Sequence, residues 1–304
     1  MQPNDEDAKQ IAERDRTEVR DARRTLRSIQ AHLTQAHLTL GAVRETLNMV
    51  EVFHHPSNPT ANLNYVTPRQ NTAWVSAAQI ETGINHLRTF ERTPRFMYIE
   101  GLYPPQFAKT LRDLNLKLER ETPLMVYTRQ GVNGQAPPLP EAPVLPDHVR
   151  VEAISDLRGV ETWWYAYRNA YYDVLTLGVE PLIVSRDLNA LQAGVQLDYL
   201  LIQHEFPAGV ARVSLQGETA HLLALAVIKE ARTIPVLNAL QSAALRGALD
   251  RGANLVFAPG ETDDERRLGR SLGFVNFGSV VCDVDPNAAR EETHASLEQP
   301  ILSL

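Results

Sequence analysis

The sequence predicts an α/β protein with a mixed sheet and a long helix at its N-terminus. Three observations predict this class. From residue 63 onward, short apolar runs alternate with stretches of helical periodicity. Three strand-like runs near residue 210 are separated only by turn residues, which is typical of antiparallel pairing. The region before residue 54 carries an apolar repeat with alternating steps of three and four, which predicts a helix.

The composition is that of an ordinary globular protein. With 304 residues and 43% apolar content, the chain can bury one large core or two modest ones. The net charge of −7, with acids and bases mixed, argues against nucleic acid and anionic membranes as partners. No run approaches the roughly 18 apolar residues of a membrane span. The sequence therefore predicts a cytoplasmic location.

The N-terminal region, residues 1–53, is predicted to be one long helix. Its apolar residues follow an unbroken heptad pattern. They are Val19, Ala22, Leu26, Ile29, Leu33, Ala36, Leu40, Val43, Leu47 and Val50. Such a helix is longer than a small domain can cover, so we expect it to pair subunits in a homo-oligomer, a dimer in the simplest case. Packing across its own chain is the alternative.

Proline-rich breaks divide the rest of the chain. The predicted divisions are a β-α-β-α-β unit at 54–130, a proline-rich linker at 131–147, a larger domain at 148–288 and a tail at 289–304. In the first unit, strands are predicted at 63–67, 95–99 and 124–127, and helices at 75–90 and 105–114.

The larger domain begins with a strand at 149–153 and helices at 160–174 and 184–191. Strands at 198–203, 209–215 and 221–228 follow, and then a helix at 235–251, a strand at 254–258, a helix at 263–272 and a strand at 277–283. The end of this series matches the first unit in order and spacing, which predicts a truncated internal repeat.

The turn between Leu222 and Asp250 is arranged to hold a phosphate. A strand that ends in a tight turn and opens a helix presents backbone N–H groups and the positive end of the helix dipole. Together with Leu225-Ala226-Val227-Ile228 and the late Leu272-Gly273-Phe274, the element order from 149 to 283 resembles the GNAT superfamily of acyl-CoA-dependent N-acetyltransferases. The resemblance covers about 135 residues and implies acetyl-CoA or CoA as the cofactor.

The resemblance implies a set of cofactor-binding residues at this turn. They are Val227, Arg232, Thr233, Ile234, Val236 and Leu237. Arg232 matches the family pattern, but Pro235 and Leu237 stand where the family has glycine or a small residue. Pro235 has no N–H to donate. Gly269 stands where many members place a tyrosine that protonates the leaving thiolate.

A general base would come from the central strands, where the candidates are His204, Glu205 and His221. All three are also ordinary polar residues for strand ends. Trp163, Trp164, Tyr167 and Tyr171 lie where the family forms its acceptor wall, although aromatic residues at helical spacing usually form a core. The sequence does not identify the acceptor.

Other residues that can bind metals or react give weak signals. Cys282, the single cysteine, is predicted to be a buried structural thiol. The pair His54-His55 has no third ligand at a suitable spacing and is expected to be solvated, so no metal site is predicted.

These features predict a tandem GNAT-like protein with a truncated, catalytically inactive first unit and a degenerate second unit. The predicted activity is acyl-CoA-dependent N-acetyl transfer. The alternative is a pseudoenzyme that acts as a binding or scaffold module through the N-terminal helix and the former cofactor cleft.

Overall fold

A computed structural model describes residues 5–131, 144–174 and 178–289, with side chains from Thr17 onward. The chain forms two compact units. Unit 1 comprises Met1–Pro123 and Gly278–Leu304, and unit 2 comprises Leu124–Phe277. Most of the predicted linker and of the C-terminal tail lies outside the described residues.

Unit 1 begins with a helix and a hairpin and continues with the predicted α/β series. Its elements are α1 (Asp5–Thr39), β1 (Val43–Leu47), β2 (Val50–His54), β3 (Tyr65–Pro68), α2 (Ala77–Arg88), β4 (Arg95–Ile99), α3 (Gln106–Asp113) and the start of β5 (Lys117–Thr128). Strands β1, β2 and β3 are antiparallel, and β4 runs parallel to β3. Helix α2 lies close to the sheet because Gly83 faces Val66, to which a Cβ would approach within 2.7 Å.

Unit 2 contains the elements from the end of β5 to the start of the last strand. They are β6 (Val149–Ala153), α4 (Leu157–Tyr172), α5 (Pro181–Gln192), β7 (Gln196–Gln203), β8 (Phe206–Gln216), β9 (Thr219–Val227), α6 (Ile234–Asp250), β10 (Leu255–Pro259), α7 (Asp263–Ser271) and β11 (Val275–Val284). Its strand order is β5-β10-β9-β8-β7-β6. Only the β9 and β10 pair is parallel among the pairings described within this unit.

Two apolar layers cover opposite faces of the unit 2 sheet. Val227 packs in a core with residues of α6, whereas its neighbour Ala226 packs in a second core with residues of α4 and α5. Successive strand residues point to opposite faces. The three helices therefore enclose the sheet from both sides.

The boundaries between the units differ from those predicted. Strand β5 begins in unit 1 and ends in unit 2. Strand β11 begins in unit 2 and ends in unit 1. The second half of β11 pairs with β4, with Val280 opposite Ile99, while the end of β5 pairs with β10, with Tyr127 opposite Val256. Sequence spacing alone does not show which strand a segment pairs with, so the predicted cuts at 130 and 288 missed this exchange.

The prediction of one helix through residue 53 is wrong beyond Thr39. The N–H of Gly41 donates to the carbonyl of Leu38 at 3.0 Å and the N–H of Ala42 to that of His37 at 3.1 Å, with Gly41 at φ 95°. This bond pair is the Schellman arrangement that ends a helix at a left-handed glycine. The last heptad residues continue the pattern by coincidence and lie in the β1–β2 hairpin.

The second half of α1 packs on its own unit. Leu26 is 5% exposed and Ile29 is fully buried, whereas Val19 is 56% exposed. The described part of the helix therefore has a packed half and a projecting half. No helix of the described residues is long and apolar enough to cross a membrane.

Candidate functional site

Two parallel strands of unit 2 stop pairing before β9 ends, and we call the space between their ends the groove. Strands β9 and β10 pair from Thr219 opposite Leu255 to His221 opposite Phe257. Beyond that point Ala258 and Pro259 pair only with β5 in the described part of the chain, while β9 continues to Val227. A bulge displaces the pairing of β9 with β8 at Leu223, which is 45% exposed. The groove lies at the carboxyl ends of the strands, where ligands of α/β folds usually bind.

Helix α6 follows the end of β9 after a short turn. Its N-cap residue Thr233 makes no side-chain capping bond. The N–H of Leu237 donates to the carbonyl of Thr233 at 3.0 Å, so the predicted donor Leu237 is engaged in the helix. Ile234 and Val236 precede the first intrahelical bond, and Pro235 contributes no N–H. The N–H groups of Ile234 and Val236 therefore have no acceptor within the helix.

Arg232 stabilises the turn before the helix. Its guanidinium donates to the carbonyl of Val227 through Nε at 3.1 Å and Nη2 at 2.8 Å. Val227 itself is fully buried. The arginine that matches the family pattern thus closes the loop on itself and sets the direction in which α6 starts.

Gly269 is part of a packed contact. A Cβ at this position would lie 3.1 Å from Cε of Met125 and 3.5 Å from Cβ of Phe274. Met125 is 1% exposed and also fills the space beside Gly260. Met125 therefore occupies the volume beside Gly269, the position at which the family resemblance predicts a tyrosine. The sequence could not show this packing.

Two of the predicted base candidates form the turn between β7 and β8. His204 and Glu205 both have positive φ, 50° and 62°. The ring of His204 stacks on that of His148 at 4.1 Å. Glu205 accepts two hydrogen bonds from Arg150, at 2.6 and 2.9 Å, and these bonds lower the pKa of the Glu205 carboxyl. A lowered pKa makes Glu205 a weaker base.

The third candidate lies where β9 and β10 stop pairing. His221 is the last residue of β9 that pairs with β10, and its ring stacks on Phe257 at 4.2 Å. Val227 lies six positions further along β9, or roughly 20 Å away at the rise of an extended strand. The structure therefore places His221 at the inner end of the groove and the other two candidates at a separate turn.

The aromatic residues of α4 are divided between core and surface. Trp163 and Trp164 are buried at 1% and 3% exposure, whereas Tyr171 is 61% exposed. Beside the tryptophans, Arg212 binds Asp198 through two bonds of 2.8 and 2.7 Å and Asp187 at 2.7 Å. This buried ion network could not be predicted from the sequence, because its members are far apart in the chain and share no motif.

In unit 1, the parallel strands and the start of the helix between them are closed by residues of the same unit. At the start of α2, Ser76 Oγ accepts the N–H of Gln79, and Gln79 Oε1 accepts the N–H of Ser76. Gln30 of α1 donates to the carbonyl of Pro68 at 3.4 Å, and Leu26 contacts Gly101 beyond β4. Helix α1 therefore covers the ends of β3 and β4, the parallel pair of this unit.

The remaining candidates have structural roles. Cys282 is buried as predicted, and burial raises the pKa of its thiol to about 12. His54 is hydrogen-bonded to Glu45 at 3.1 Å, and His55 Nδ1 accepts the N–H of Asn58 at 2.9 Å. His54 is buried, so the expectation that it is solvated is wrong, whereas His55 is partly exposed. Within the described ranges, no group of histidine, cysteine, aspartate and glutamate has the geometry of a metal site.

Solved structures share this fold, although no protein-family model and no curated protein matches the sequence. A GCN5-related N-acetyltransferase from Kribbella flavida is 15% identical, with 86% of this chain and 95% of that chain covered and a TM-score of 0.65. A tandem GNAT protein from the clavulanic acid biosynthesis pathway is 14% identical over 77% of each chain, with a TM-score of 0.54. A GCN5-related N-acetyltransferase from Sphaerobacter thermophilus is 13% identical, covers 79% of this chain and 81% of that one, and has a TM-score of 0.52.

The protein therefore has the fold of the GNAT acetyltransferases, as the sequence resemblance predicts.

Proposed function

We propose that unit 2 binds an acyl-CoA and transfers its acyl group to an amine. The observation that carries this proposal is the groove between β9 and β10, which leads to a helix start without a side-chain cap. In unit 1 the start of α2 is closed by its own capping box, so the two units differ where a phosphate would be held.

Some residues at the groove are suited to hold a CoA, and others oppose it. The N–H groups of Ile234 and Val236 and the dipole of α6 would hold phosphate oxygens. Pro235 removes one donor, and Leu237 adds bulk beside them. When bound, an acyl-CoA supplies a thioester that an amine can attack, with the thiol as leaving group. His221 at the inner end of the groove would accept the proton that the amine releases.

A second function is supported by Pro235, Leu237 and the Met125 packing against Gly269. These three departures favour a pseudoenzyme, in which the groove binds a ligand without catalysis. The N-terminal helix would then provide the surface that binds a partner protein or a second subunit.

Binding of CoA is the first test. CoA and acetyl-CoA at millimolar concentration should raise the melting temperature of the full chain, because a ligand well above its dissociation constant stabilises the folded state by a few kcal/mol. Changing Pro235→Ala restores the missing N–H and should tighten binding. Pro181→Ala changes the same residue type at the start of α5 and should leave the CoA affinity unchanged.

A negative charge at the start of α6 tests whether the CoA phosphates bind there. Thr233→Asp adds a capping carboxylate beside the expected phosphate position and should weaken CoA binding by at least about tenfold. Thr233→Asn caps the helix without charge and should have a much smaller effect. If neither the wild type nor Pro235→Ala binds CoA, the acyltransferase proposal is rejected and the binding-module function remains.

A further inference from the structure

A phenol and a carboxyl lie side by side on the face of the unit 1 sheet that α3 covers. Tyr98 of β4 packs on Phe107 of α3, with ring centroids 5.2 Å apart. In the antiparallel pairing of β4 with β11, Val281 lies opposite Tyr98 and Asp283 lies opposite Phe96. Asp283 is therefore a diagonal neighbour of Tyr98 on the same face of the sheet.

Two further carboxylates lie at the same place. The N–H of Glu100, which follows β4, donates to the carbonyl of Ser279 at 2.9 Å, and Ser279 Oγ donates to Glu121 of β5 at 2.8 Å. Burial raises the pKa of the Tyr98 hydroxyl to about 12, and the neighbouring carboxylates add to this effect. These carboxylates are Asp283, Glu100 and Glu121. We call the three carboxylates and Tyr98 the acidic site.

The two buried members of the acidic site have no partner. Tyr98 is 9% exposed and Asp283 is 7% exposed, and the polar ends of both side chains reach solvent. Within the part of the chain that the structure describes, the Tyr98 hydroxyl makes no hydrogen bond and the Asp283 carboxyl makes neither a hydrogen bond nor an ion pair. Arg112 of α3 attracts the Asp283 carboxylate, but it is exposed and not in contact with it. Since a buried carboxylate without a cation costs stability, the acidic site is suited to receive a positive group from outside the unit.

The N-terminal helix leaves unit 1 beside the acidic site. A Cβ on Gly101, the residue after Glu100, would lie 3.0 Å from Cδ1 of Leu26 in α1. Before Leu26 the helix projects, and Val19 is 56% exposed. The packed half of α1 therefore ends where the acidic site begins.

The projecting half of α1 carries a basic surface. Its exposed arginines are Arg20, Arg23 and Arg24. Arg20 and Arg24 are four residues apart, so they share one face of the helix, and their side chains are 69% and 72% exposed. Each is paired with Asp21, at 3.7 and 3.5 Å, and such exposed ion pairs are weak. These arginines therefore remain available to carboxylates of another molecule.

We propose that arginines of the projecting half of α1 bind the acidic site of a second copy of this chain. In an antiparallel pair of helices, the projecting half of one helix lies beside the packed half of the other, next to Glu100. Such a pair has two-fold symmetry, so each copy gives an arginine and receives one. A guanidinium binds a carboxylate through two parallel hydrogen bonds, and a further N–H can donate to the Tyr98 hydroxyl.

An exchange of charges in the full chain tests this contact, with sedimentation velocity over a concentration series as the measure of self-association. Arg20→Glu together with Arg24→Glu should weaken self-association by at least about tenfold, because carboxylates then meet carboxylates. Glu100→Arg together with Glu121→Arg should weaken it to a similar degree. An equimolar mixture of these two variants should associate as the wild type does, because opposite charges then meet at both contacts.

A matched control places the same charge change on another helix. Arg267→Glu together with Arg270→Glu, on α7, should leave self-association unchanged. Added salt should weaken association of the wild type. The proposal is overturned if the wild type is monomeric throughout the concentration series, if the α1 variant associates like the wild type, or if the mixture stays dissociated. Loss of assembly on deletion of residues 1–24 without any effect of the charge variants would also overturn it, since the helices would then pair without the acidic site.

Discussion

Arg212 shows how much one side chain can contribute to unit 2. It is 5% exposed and lies between the buried carboxylates of Asp187 and Asp198, with Trp164 Nε1 donating to Asp187 at 2.9 Å. Burial raises the pKa of Asp198, against the attraction of Arg212. A buried ion network of this kind is stabilising only while every member keeps its partners.

Loss of the guanidinium should therefore destabilise the protein strongly. Arg212→Met leaves the buried carboxylate of Asp198 without a cation and Asp187 with only the partly exposed Arg186. We expect a loss of about 3 to 5 kcal/mol in the free energy of unfolding. Urea denaturation at neutral pH measures this loss. Adding Asp198→Asn to Arg212→Met should recover part of it, because one uncompensated charge is removed. A loss below about 1 kcal/mol would contradict the role given to the network.

Asp283 is a buried carboxyl whose ionisation opposes folding. Burial raises its pKa to about 6, with a smaller opposing effect of Arg112. Since the folded-state pKa lies above the ordinary value of about 3.9, the folded protein keeps this proton to higher pH than the unfolded chain. The contribution of Asp283 to stability is thus present below about pH 4 and is lost as the pH rises to about 6.

Asp283→Asn should make the protein more stable at pH 7.5 and leave its stability at pH 4 nearly unchanged. We expect a gain of about 1 to 2 kcal/mol after allowance for solvent screening. Unfolding curves at both pH values measure it. The exposed Asp113→Asn is the matched control and should show no such difference between the two pH values. A gain of equal size at both pH values would mean that ionisation of Asp283 is not its cause.

At the scale of elements, α6 packs closely on β7 because the helix has a glycine where it meets the strand. A Cβ on Gly247 would lie 1.7 Å from the hydroxyl oxygen of Tyr199 and 2.9 Å from its Cζ. Tyr199 is in β7, and Gly247 is inside α6. The glycine is therefore required by the contact between helix and strand, although it lowers the intrinsic helix propensity of α6.

Gly247→Ala should destabilise the protein by about 1 to 3 kcal/mol, opposite in sign to the usual gain for this change in a helix. Thermal and urea unfolding report the effect. In the background of Tyr199→Phe the hydroxyl is gone, so the same change should cost clearly less. Equal costs in both backgrounds would show that the hydroxyl is not the obstacle.

The end of α1 illustrates how an element is limited by its backbone. The heptad pattern continues past Thr39, but Gly41 allows the left-handed conformation that ends the helix, and Asn48 allows the next turn with φ 56°. Apolar spacing does not distinguish the last part of a helix from a hairpin of two short strands. The bond pair at the helix end decides between them.

At the scale of the whole molecule, the N-terminal helix has two separate parts. Residues from Leu26 onward are needed by the core of unit 1, whereas Val19 is exposed on a heptad face. We propose that the projecting part, which precedes Leu26, pairs subunits in a homo-oligomer.

Deletion of residues 1–24 should reduce the number of subunits and leave the unfolding free energy of each unit nearly unchanged. Light scattering coupled to size-exclusion chromatography measures the assembly. A longer deletion to Val50 removes the buried Ile29 and the first strand of the hairpin, β1, and it should unfold unit 1. An unchanged subunit count after the short deletion would refute the pairing.

The sequence by itself determined the class of fold and most of its elements. Strands β4 and β6 were predicted with the observed bounds, and helices α2, α4 and α6 within a few residues, because apolar periodicity and turn residues act locally. It also located the α6 turn, with Arg232 in register and Pro235 and Leu237 as departures from the family pattern.

Only the tertiary structure decided the contacts between distant residues. It showed that Met125 fills the space beside Gly269, that Arg212 joins two buried carboxylates, and that α1 covers the strand ends of unit 1. It also assigned the second half of β11 to β4. Each of these contacts depends on packing between segments far apart in the chain, and no local pattern of residues specifies such packing.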